Sequence, residues 1–117
     1  MSETYKRLQE ITTLAATATS YVTNPSGTKT HVLCIMLHNT NTVAETIEMY
    51  VVPDSSGSVG TATAANRYWK DSLGANVTRF IPLPKTGIIL EDVNDTIQML
   101  TTTASKVTVQ IYGRQDT

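Results

Sequence analysis

Two stretches of the chain decide its fold: residues 21–40 (YVTNPSGTKTHVLCIMLHNT) and residues 88–113 (IILEDVNDTIQMLTTTASKVTVQIYG). The first is a turn followed by a long apolar run that ends in an Asn/Thr-rich turn. The second holds three short apolar or β-branched runs separated by polar turns. Runs of this length between turn residues predict β-strands. Extending the pattern along the chain gives about eight strands, which predicts an all-β antiparallel sandwich, either jelly-roll or immunoglobulin-like.

A turn and a long strand make up the first stretch. Asn24-Pro25-Ser26-Gly27 is a strong turn signal, because proline pre-sets φ and glycine supplies a positive φ. The run that follows predicts a central strand over residues 29–38, either covered on both sides or with an outer face that meets a partner. Strict alternation assigns His31, Leu33, Ile35 and Leu37 to one face and Val32, Cys34 and Met36 to the other, which leaves His31 and His38 on opposite faces.

Further strands and one long loop account for most of the remaining chain. Residues 43–53 alternate cleanly, with Ile47, Met49 and Val51 on one side, and predict a hairpin with the preceding strand across residues 39–42. Residues 54–65 form a loop of small residues, and long loops in compact domains tend to be functional or mobile. The other predicted strands cover residues 17–23, 66–72 (a short strand or turn), 76–83, 87–90, 96–102 and 105–112.

The chain divides into an N-terminal arm, residues 1–14, and a single sandwich domain, residues 15–117. In the arm Leu8, Ile11 and Leu14 recur every three residues, as in one or two helical turns, but the threonines around them disfavour a helix. The arm is therefore expected to be extended or a short helix. At 117 residues, the whole chain has the size of one domain with a core that needs no cross-links.

Composition narrows the classes of partner. The 9 basic and 10 acidic residues give a net charge of −1 and form no basic stripe, so nucleic acid is not expected as a partner. The longest apolar run, residues 32–37, is far too short for a membrane helix, so no membrane partner is expected either. The one cysteine, Cys34, is expected to be a buried small hydrophobe. The 21 threonines suit a β-surface, poor in charge, that packs against neighbouring proteins.

The residues that commonly carry chemistry form no recognisable catalytic or metal-binding pattern. His31 and His38 are more typical of surface histidines than of metal ligands. Glu91, Asp92 and Asp95 form a small acidic group, for which a role in their own turn is favoured over a calcium site. The sequence has neither a G-x-S-x-G elbow nor a phosphate-binding glycine loop. It therefore predicts a protein that is not an enzyme, with no catalytic residue, cofactor or metal; in an enzyme, these acids and histidines would be the candidates.

Two clusters have the character of partner-binding sites, because Tyr, Trp and Arg are enriched at interface hot spots. The first cluster, which follows the long loop, is Arg67, Tyr68, Trp69 and Lys70, and the second, which lies in the arm, is Tyr5, Lys6 and Arg7. The alternative interpretation of the first cluster is a core tryptophan with a flanking tyrosine. Exposed Tyr68 and Trp69 would also suit a carbohydrate-binding module, since aromatic faces stack on apolar ligand surfaces.

Several short segments follow one another in a distinctive order. Residues 21–28 resemble a Tyr-Thr-Val-Pro-Ala-Gly-Thr turn, and a long apolar strand ending in Asn39-Thr40 comes next. A strand running into Tyr50-Val51-Val52-Pro53 follows, then Ile89-Leu90 and Asp95-Thr96-Ile97-Gln98, similar to a Leu-x-x-Gly-Asp-x-Ile turn, and finally Ile111-Tyr112-Gly113. In this order the chain resembles a family of small β-sandwich virion proteins of tailed bacteriophages over residues 15–114. Two positions depart from the family pattern: Asn94 stands where glycine is expected, and Asn24 precedes Pro25 where valine is usual.

The resemblance implies a non-catalytic structural protein of the virion, on the capsid exterior and assembled in the host bacterial cytoplasm. It implies a capsid decoration (cement) protein that bridges and stabilises major capsid protein subunits, or alternatively a tail, neck or baseplate component. At three-fold or quasi-three-fold positions of a shell, such a module would be a homotrimer. The arm would be its clasp, disordered in the free protein and ordered on the capsid lattice.

Overall fold

The protein is built from β-strands in two antiparallel sheets, as the sequence predicts. A computed structural model describes residues 3–117, in which the only helical element is a single 3-10 turn at Ala64–Asn66. Within this range there is no helix of the length and apolarity needed to cross a membrane. The strands are β1 (Glu3–Thr13), β2 (Thr19–Thr23), β3 (Lys29–Asn39), β4 (Glu45–Val52), β5 (Arg67–Leu73), β6 (Thr78–Phe80), β7 (Ile88–Leu90), β8 (Thr96–Thr101) and β9 (Val107–Asp116).

The strand order decides between the two predicted sandwich types. The large sheet has the order β1-β9-β3-β6, with β7 also paired to β3, and the small sheet has the order β2-β8-β4-β5. The first four strands therefore alternate between the sheets, and β4–β5 is the one pair of consecutive strands that are hydrogen-bonded neighbours within residues 3–117. If β6 and β7 are taken as one interrupted strand, this is the order of a jelly roll.

The predicted hairpin between the central strand and the next one is wrong. β3 pairs with β6, β7 and β9, whereas β4 pairs with β5 and β8 in the other sheet. The connecting turn crosses between the sheets because the side chain of Asn39, fully buried, holds it there. The Asn39 amide nitrogen donates to the carbonyl oxygens of Val43, Leu73 and Gly74, and its oxygen accepts the backbone N–H of Asn41.

The core lies between the two sheets and contains the residues that alternation assigned to the inner faces. Residues opposite one another in the strand register share a face, and the register pairs Ile35 with Ile111 and Met49 with Met99. The predicted inner set of β4 is confirmed, and the same alternation of inner and outer residues holds in β8 and β9. Fully or almost fully buried members are Ile47, Met49, Ile97, Met99, Val107, Val109 and Ile111, and Val51 packs against them while half-buried.

Strict alternation fails in β3, because the strand contains a β-bulge. The register with β9 shifts between Val32 and Cys34, so that Leu33 is an extra residue without a register partner. Val32 consequently points into the core together with Ile35, although the sequence placed them on opposite faces. Cys34 is half-buried on the outer face and is not the buried residue that was expected. The bulge also brings His31 and His38 to the same outer face, which corrects the prediction that they point apart.

Two glycines allow the backbone to approach this bulge. Gly113 of β9 lies opposite Val32, where a Cβ atom would overlap the carbonyl oxygen of His31. Gly87 has a positive φ of 77° and lies against the carbonyl oxygen of Val32. The turn that ends at Gly87, closed by a 2.8 Å hydrogen bond from its N–H to the carbonyl of Pro84, is thereby packed against β3.

Residues 3–13 of the predicted arm are extended, which is one of the two conformations that were expected. β1 pairs with β9 from Glu3, opposite Asp116, to Thr13, opposite Thr108, and Leu14 is buried in the core. In this conformation residues 3–13 are an edge strand of the sandwich, whereas the sequence had set them apart as an arm. Residues 1 and 2 of the predicted arm lie outside the described residues.

Replacement of Gly113 by alanine is expected to lower the free energy of unfolding by about 1–3 kcal/mol or more, because the new methyl group forces β9 away from β3. Urea denaturation measures the effect. Gly74→Ala is the matched control, since its Cβ would meet only the end of the Val77 side chain at 3.3 Å. Equal losses in the two variants would contradict the packing argument.

Candidate interaction surface

The outer face of the large sheet, the side turned away from the core, exposes an apolar surface. Cross-strand register places Met36 beside Phe80, Cys34 beside Tyr112 and Ile89 beside His31 on this face. Isolated exposed apolar side chains are ordinary, but neighbouring ones mark a binding surface. The large apolar residues that are most exposed here are Tyr5 (71%), Phe80 (59%), Ile89 (43%), Tyr112 (39%) and Leu33 (38%).

One end of this face carries a charged network. The guanidinium of Arg114 donates to both oxygens of Asp116, at 3.0 and 3.2 Å, and lies 3.6 Å from the carboxylate of Glu3. Nε2 of His31 lies 3.1 Å from Asp116. The ring of Tyr5 stands 6.0 Å from the guanidinium carbon of Arg114, which is within the range of a cation–π contact. Interactions with Tyr5 and Asp116 raise the pKa of Arg114 above its ordinary value.

A shallow cavity of about 390 Å³ opens between this network and the turn that precedes β7. Leu33 and Ile89 form apolar walls, and Tyr5 forms an aromatic one. Lys85 and Thr86 line it from the turn, and Arg114 and His31 from the sheet. A second cavity of about 300 Å³ lies between Lys29, Glu91 and the C-terminal residues Asp116 and Thr117. There Lys29 is already paired with Glu91 at 3.5 Å.

The structure separates the two predicted partner-binding clusters and divides each of them. Tyr5 and Arg7 lie on the outer face of the large sheet, opposite Arg114 and Tyr112, whereas Lys6 points to the other side and donates to Gln115. The second cluster, residues 67–70, belongs to β5 at an edge of the small sheet. The two clusters therefore do not form one site.

Within residues 67–70, only the two cations share a surface. Trp69 faces inward, opposite Met49, and packs half-buried against the core. Tyr68 is the extra residue of a bulge, and its hydroxyl donates to the carbonyl of Pro82 at 2.8 Å. Arg67 and Lys70 lie on the outer face, opposite Tyr50 and Glu48. The interpretation of Trp69 as a core residue with a flanking tyrosine is thus the one that the structure supports.

Arg67 completes a small charged cluster on the small sheet. The Tyr50 hydroxyl donates to the carboxylate of Glu48 at 2.5 Å, and Arg67 pairs with the same oxygen at 3.3 Å. The hydrogen bond from Tyr50, followed by the nearby cations, holds the pKa of Glu48 below its ordinary value, and the same bond raises the pKa of Tyr50. These groups satisfy one another and leave no activated acid or base.

The loop over residues 54–65 covers part of the small sheet. Gln98 and Tyr50 point to the outer side of that sheet, yet both are buried. The side-chain amide of Gln98 donates to the carbonyl of Gly60 at 3.1 Å, and Gly60 lies against Val52 and Pro53. The loop therefore has a packing role at this position, and the outer faces of the two sheets differ: the small one is partly covered and the large one is open.

The acidic group of residues 91–95 organises its own turn. The carboxylate of Asp95 accepts the backbone N–H groups of Asp54 at 2.8 Å and of Asp92 at 3.0 Å, which is the turn role that the sequence favours. Asn94 has a φ of 72°, a conformation that asparagine adopts readily in place of glycine. Among residues 3–117, no three His, Cys, Asp or Glu side chains are grouped closely enough to hold a metal ion.

Glu45 is a buried carboxylate with a structural explanation. One oxygen accepts hydrogen bonds from Thr103 N–H (2.7 Å) and the Thr101 hydroxyl (3.0 Å), and the other accepts from the side-chain amide of Asn41 (3.1 Å). Burial alone raises the pKa of Glu45, but these hydrogen bonds outweigh it and hold the pKa below its ordinary value of 4.5. The carboxylate joins two loops and is ionised at neutral pH.

No protein-family model matches this sequence, and no curated protein shows significant similarity to it. The outer face of the large sheet is therefore assessed on its own geometry. Sequence reasoning found Tyr5 and Arg7 but missed Phe80, Ile89 and Tyr112. Phe80 lies in a predicted strand, but only the pairing of β6, β7 and β9 with β3 brings these three side chains to one face.

Glu45→Gln is expected to lower the free energy of unfolding at pH 7 by about 1–3 kcal/mol, because the amide NH₂ cannot accept the hydrogen bonds that one oxygen received. The pKa of Glu45 is lower in the folded than in the unfolded state. The stabilisation that the Glu45 carboxylate provides is therefore present above about pH 4.5, and it is lost as the pH falls through the pKa of Glu45 in the folded protein. When urea denaturation is measured between pH 3 and pH 7, the free energies of unfolding of the wild type and Glu45→Gln should converge in acid.

The control for this comparison is Glu91→Gln. The Glu91 side chain is 66% exposed and makes one ion pair at 3.5 Å, so its replacement should change stability by less than about 1 kcal/mol. If the free energies of unfolding of the wild type and Glu45→Gln differed by the same amount at every pH in this range, the assigned role of the carboxylate would be refuted.

Proposed function

We propose that this protein is a virion structural protein, a capsid decoration (cement) protein that bridges and stabilises major capsid protein subunits on the capsid exterior. The observation that carries the proposal is the open outer face of the large sheet, on which Phe80, Tyr112, Ile89, Leu33 and Tyr5 are exposed. Large apolar patches of this kind mark surfaces that bind other proteins. A shell subunit would cover them.

The chemistry of the remaining molecule supports an interaction role. The titratable groups with shifted pKa values, Glu45, Glu48, Tyr50 and Arg114, each have structural partners that explain the shift. Glu45, Glu48 and Tyr50 line neither of the two cavities, whereas perturbed groups at catalytic sites commonly face a cleft. The structural role that each group fills here supports a protein that acts by binding.

The jelly-roll order supports the proposal in a weaker way. Jelly rolls occur in viral capsid proteins, but also in lectins and cupins, and a fold alone does not assign a function. The ordered segments that resemble phage virion proteins lie at structural positions in this fold. Gly27 has the positive φ that its turn requires, and Gly113 allows β9 to approach β3.

A tail, neck or baseplate component is the alternative that shares the same surface. The carbohydrate-binding hypothesis depended on Tyr68 and Trp69 both being exposed. In the structure Trp69 packs against the core and only Tyr68 is exposed. Binding partners separate the two remaining candidates. Recombinant protein is expected to bind capsids from which it has been stripped, and binding to tail tubes alone would exclude the decoration role.

Phe80→Asp is expected to weaken capsid binding at least about tenfold, because a large apolar side chain contributes about 1.5–3 kcal/mol when an interface buries it. Co-sedimentation with stripped capsids measures the affinity. Val43→Asp is the matched control, since Val43 is 58% exposed but lies in the loop between β3 and β4. Equal binding by both variants would mean that the outer face of the large sheet is not the interface.

The protein is expected to be a homotrimer, because three-fold positions on a shell match a three-fold module. Light scattering coupled to size-exclusion chromatography measures the oligomer in solution. A mass near three times the 12.7 kDa of the chain supports the decoration role. Rings of six or twelve copies would favour the tail or neck alternative.

A further inference from the structure

We infer that the cavity lined by Leu33, Ile89, Tyr5, Lys85 and Arg114 is a binding site for an apolar group that carries a carboxylate. The cavity shares Leu33, Ile89 and Tyr5 with the proposed capsid-binding face, but the inference rests on the shape and charge of the cavity and not on the virion role. The same ligand chemistry is supplied by a free apolar acid or by an acidic residue next to an apolar one in a peptide.

The size and walls of the cavity fit a small apolar group. Its volume of about 390 Å³ lies within the range of ligand pockets, which are mostly apolar with a few polar groups that fix orientation. Leu33 and Ile89 form two of its sides, and the ring of Tyr5 forms a third. A short aliphatic chain or an aromatic ring would contact all three.

The charged groups at the cavity select a carboxylate. Its lining contains two cations, Lys85 and Arg114, and no carboxylate from residues 3–117. Asp116 and Glu3 already balance the charge of Arg114, so Arg114 contributes a wall that is fixed in position and not an unpaired charge. Lys85 forms no ion pair with any residue of the described chain, so it is the cation that an incoming anion would neutralise. Thr86 adds a hydroxyl donor.

The backbone explains why a cavity forms here. The bulge in β3 pushes the extra residue, Leu33, outward, and the turn closed by Gly87 packs against the same bulge. That turn carries Lys85 and Thr86 to the rim. The second cavity offers a natural comparison, because its lysine, Lys29, is already paired with Glu91 and Asp116 lies in the lining.

The test is a titration of the ¹⁵N-labelled full chain, followed by amide NMR shifts, with hexanoate as the probe. Acetate and hexan-1-ol are the matched probes that lack the apolar chain and the carboxylate. Hexanoate is expected to shift the amides of Leu33, Lys85, Thr86 and Ile89 in a saturable way, at concentrations at least about tenfold lower than either matched probe. Equal responses to hexanoate and hexan-1-ol would overturn the proposal.

Two variants locate the binding. Lys85→Gln is expected to raise the Kd for hexanoate about fivefold or more, since it removes a charge-assisted hydrogen bond. Lys29→Gln, in the other cavity, is expected to leave the Kd unchanged. If both variants raised the Kd for hexanoate equally, the binding would be non-specific electrostatic attraction, and the proposed site would be wrong. The amide spectra of both variants report at the same time whether the fold is intact.

A second arm identifies the source of the ligand. The capped dipeptide acetyl-Leu-Asp-amide is titrated under the same conditions, with acetyl-Leu-Asn-amide as its neutral control. Tighter binding of the acidic dipeptide than of hexanoate assigns the site to a segment of a partner protein, and the reverse order assigns it to a free apolar acid. Saturable binding of neither probe refutes the inference.

Discussion

The β-bulge in β3 is the constraint on which the rest of the structure depends. By inserting Leu33, it turns Val32 toward the core and His31 toward the outer face. A bulge needs room on both sides, and this chain supplies it with glycine: Gly113 on β9 and Gly87 in the turn before β7. One extra residue thus determines which side chains fill the core at that end and which ones line the cavity outside it.

The parts of the fold that were predicted correctly are those with a local cause. The inner residues of β4, β8 and β9 follow from alternation, and the turn at residues 24–27 follows from proline and from the positive φ of Gly27. The bulge was not predictable, because an extra residue in an apolar run leaves the pattern of residue types almost unchanged. The pairing of β3 was not predictable either, since a short polar turn is compatible with a hairpin and with a crossing between sheets.

Buried polar side chains decide the topology where the strand pattern does not. Asn39 holds the β3–β4 turn against the end of β5, and Glu45 joins the start of β4 to the loop after β8. At the other end Asn24, also fully buried, donates to the carbonyls of Thr28 and Asp92 and accepts from the Thr30 hydroxyl. Each side chain satisfies backbone groups that the loops would otherwise bury without partners. The crossings between sheets are therefore specified by a few hydrogen bonds.

The candidate surface follows from an asymmetry between the two sheets. Residues 54–65 fold over the outer side of the small sheet and bury Tyr50 and Gln98, so apolar and polar groups there are satisfied within the chain. The outer side of the large sheet has comparable apolar residues but leaves Phe80 and Tyr112 exposed. Exposed apolar area on a folded protein is a cost in solubility that association removes. An open face on one sheet, beside a covered face on the other, is the arrangement expected when the second cover belongs to a different molecule.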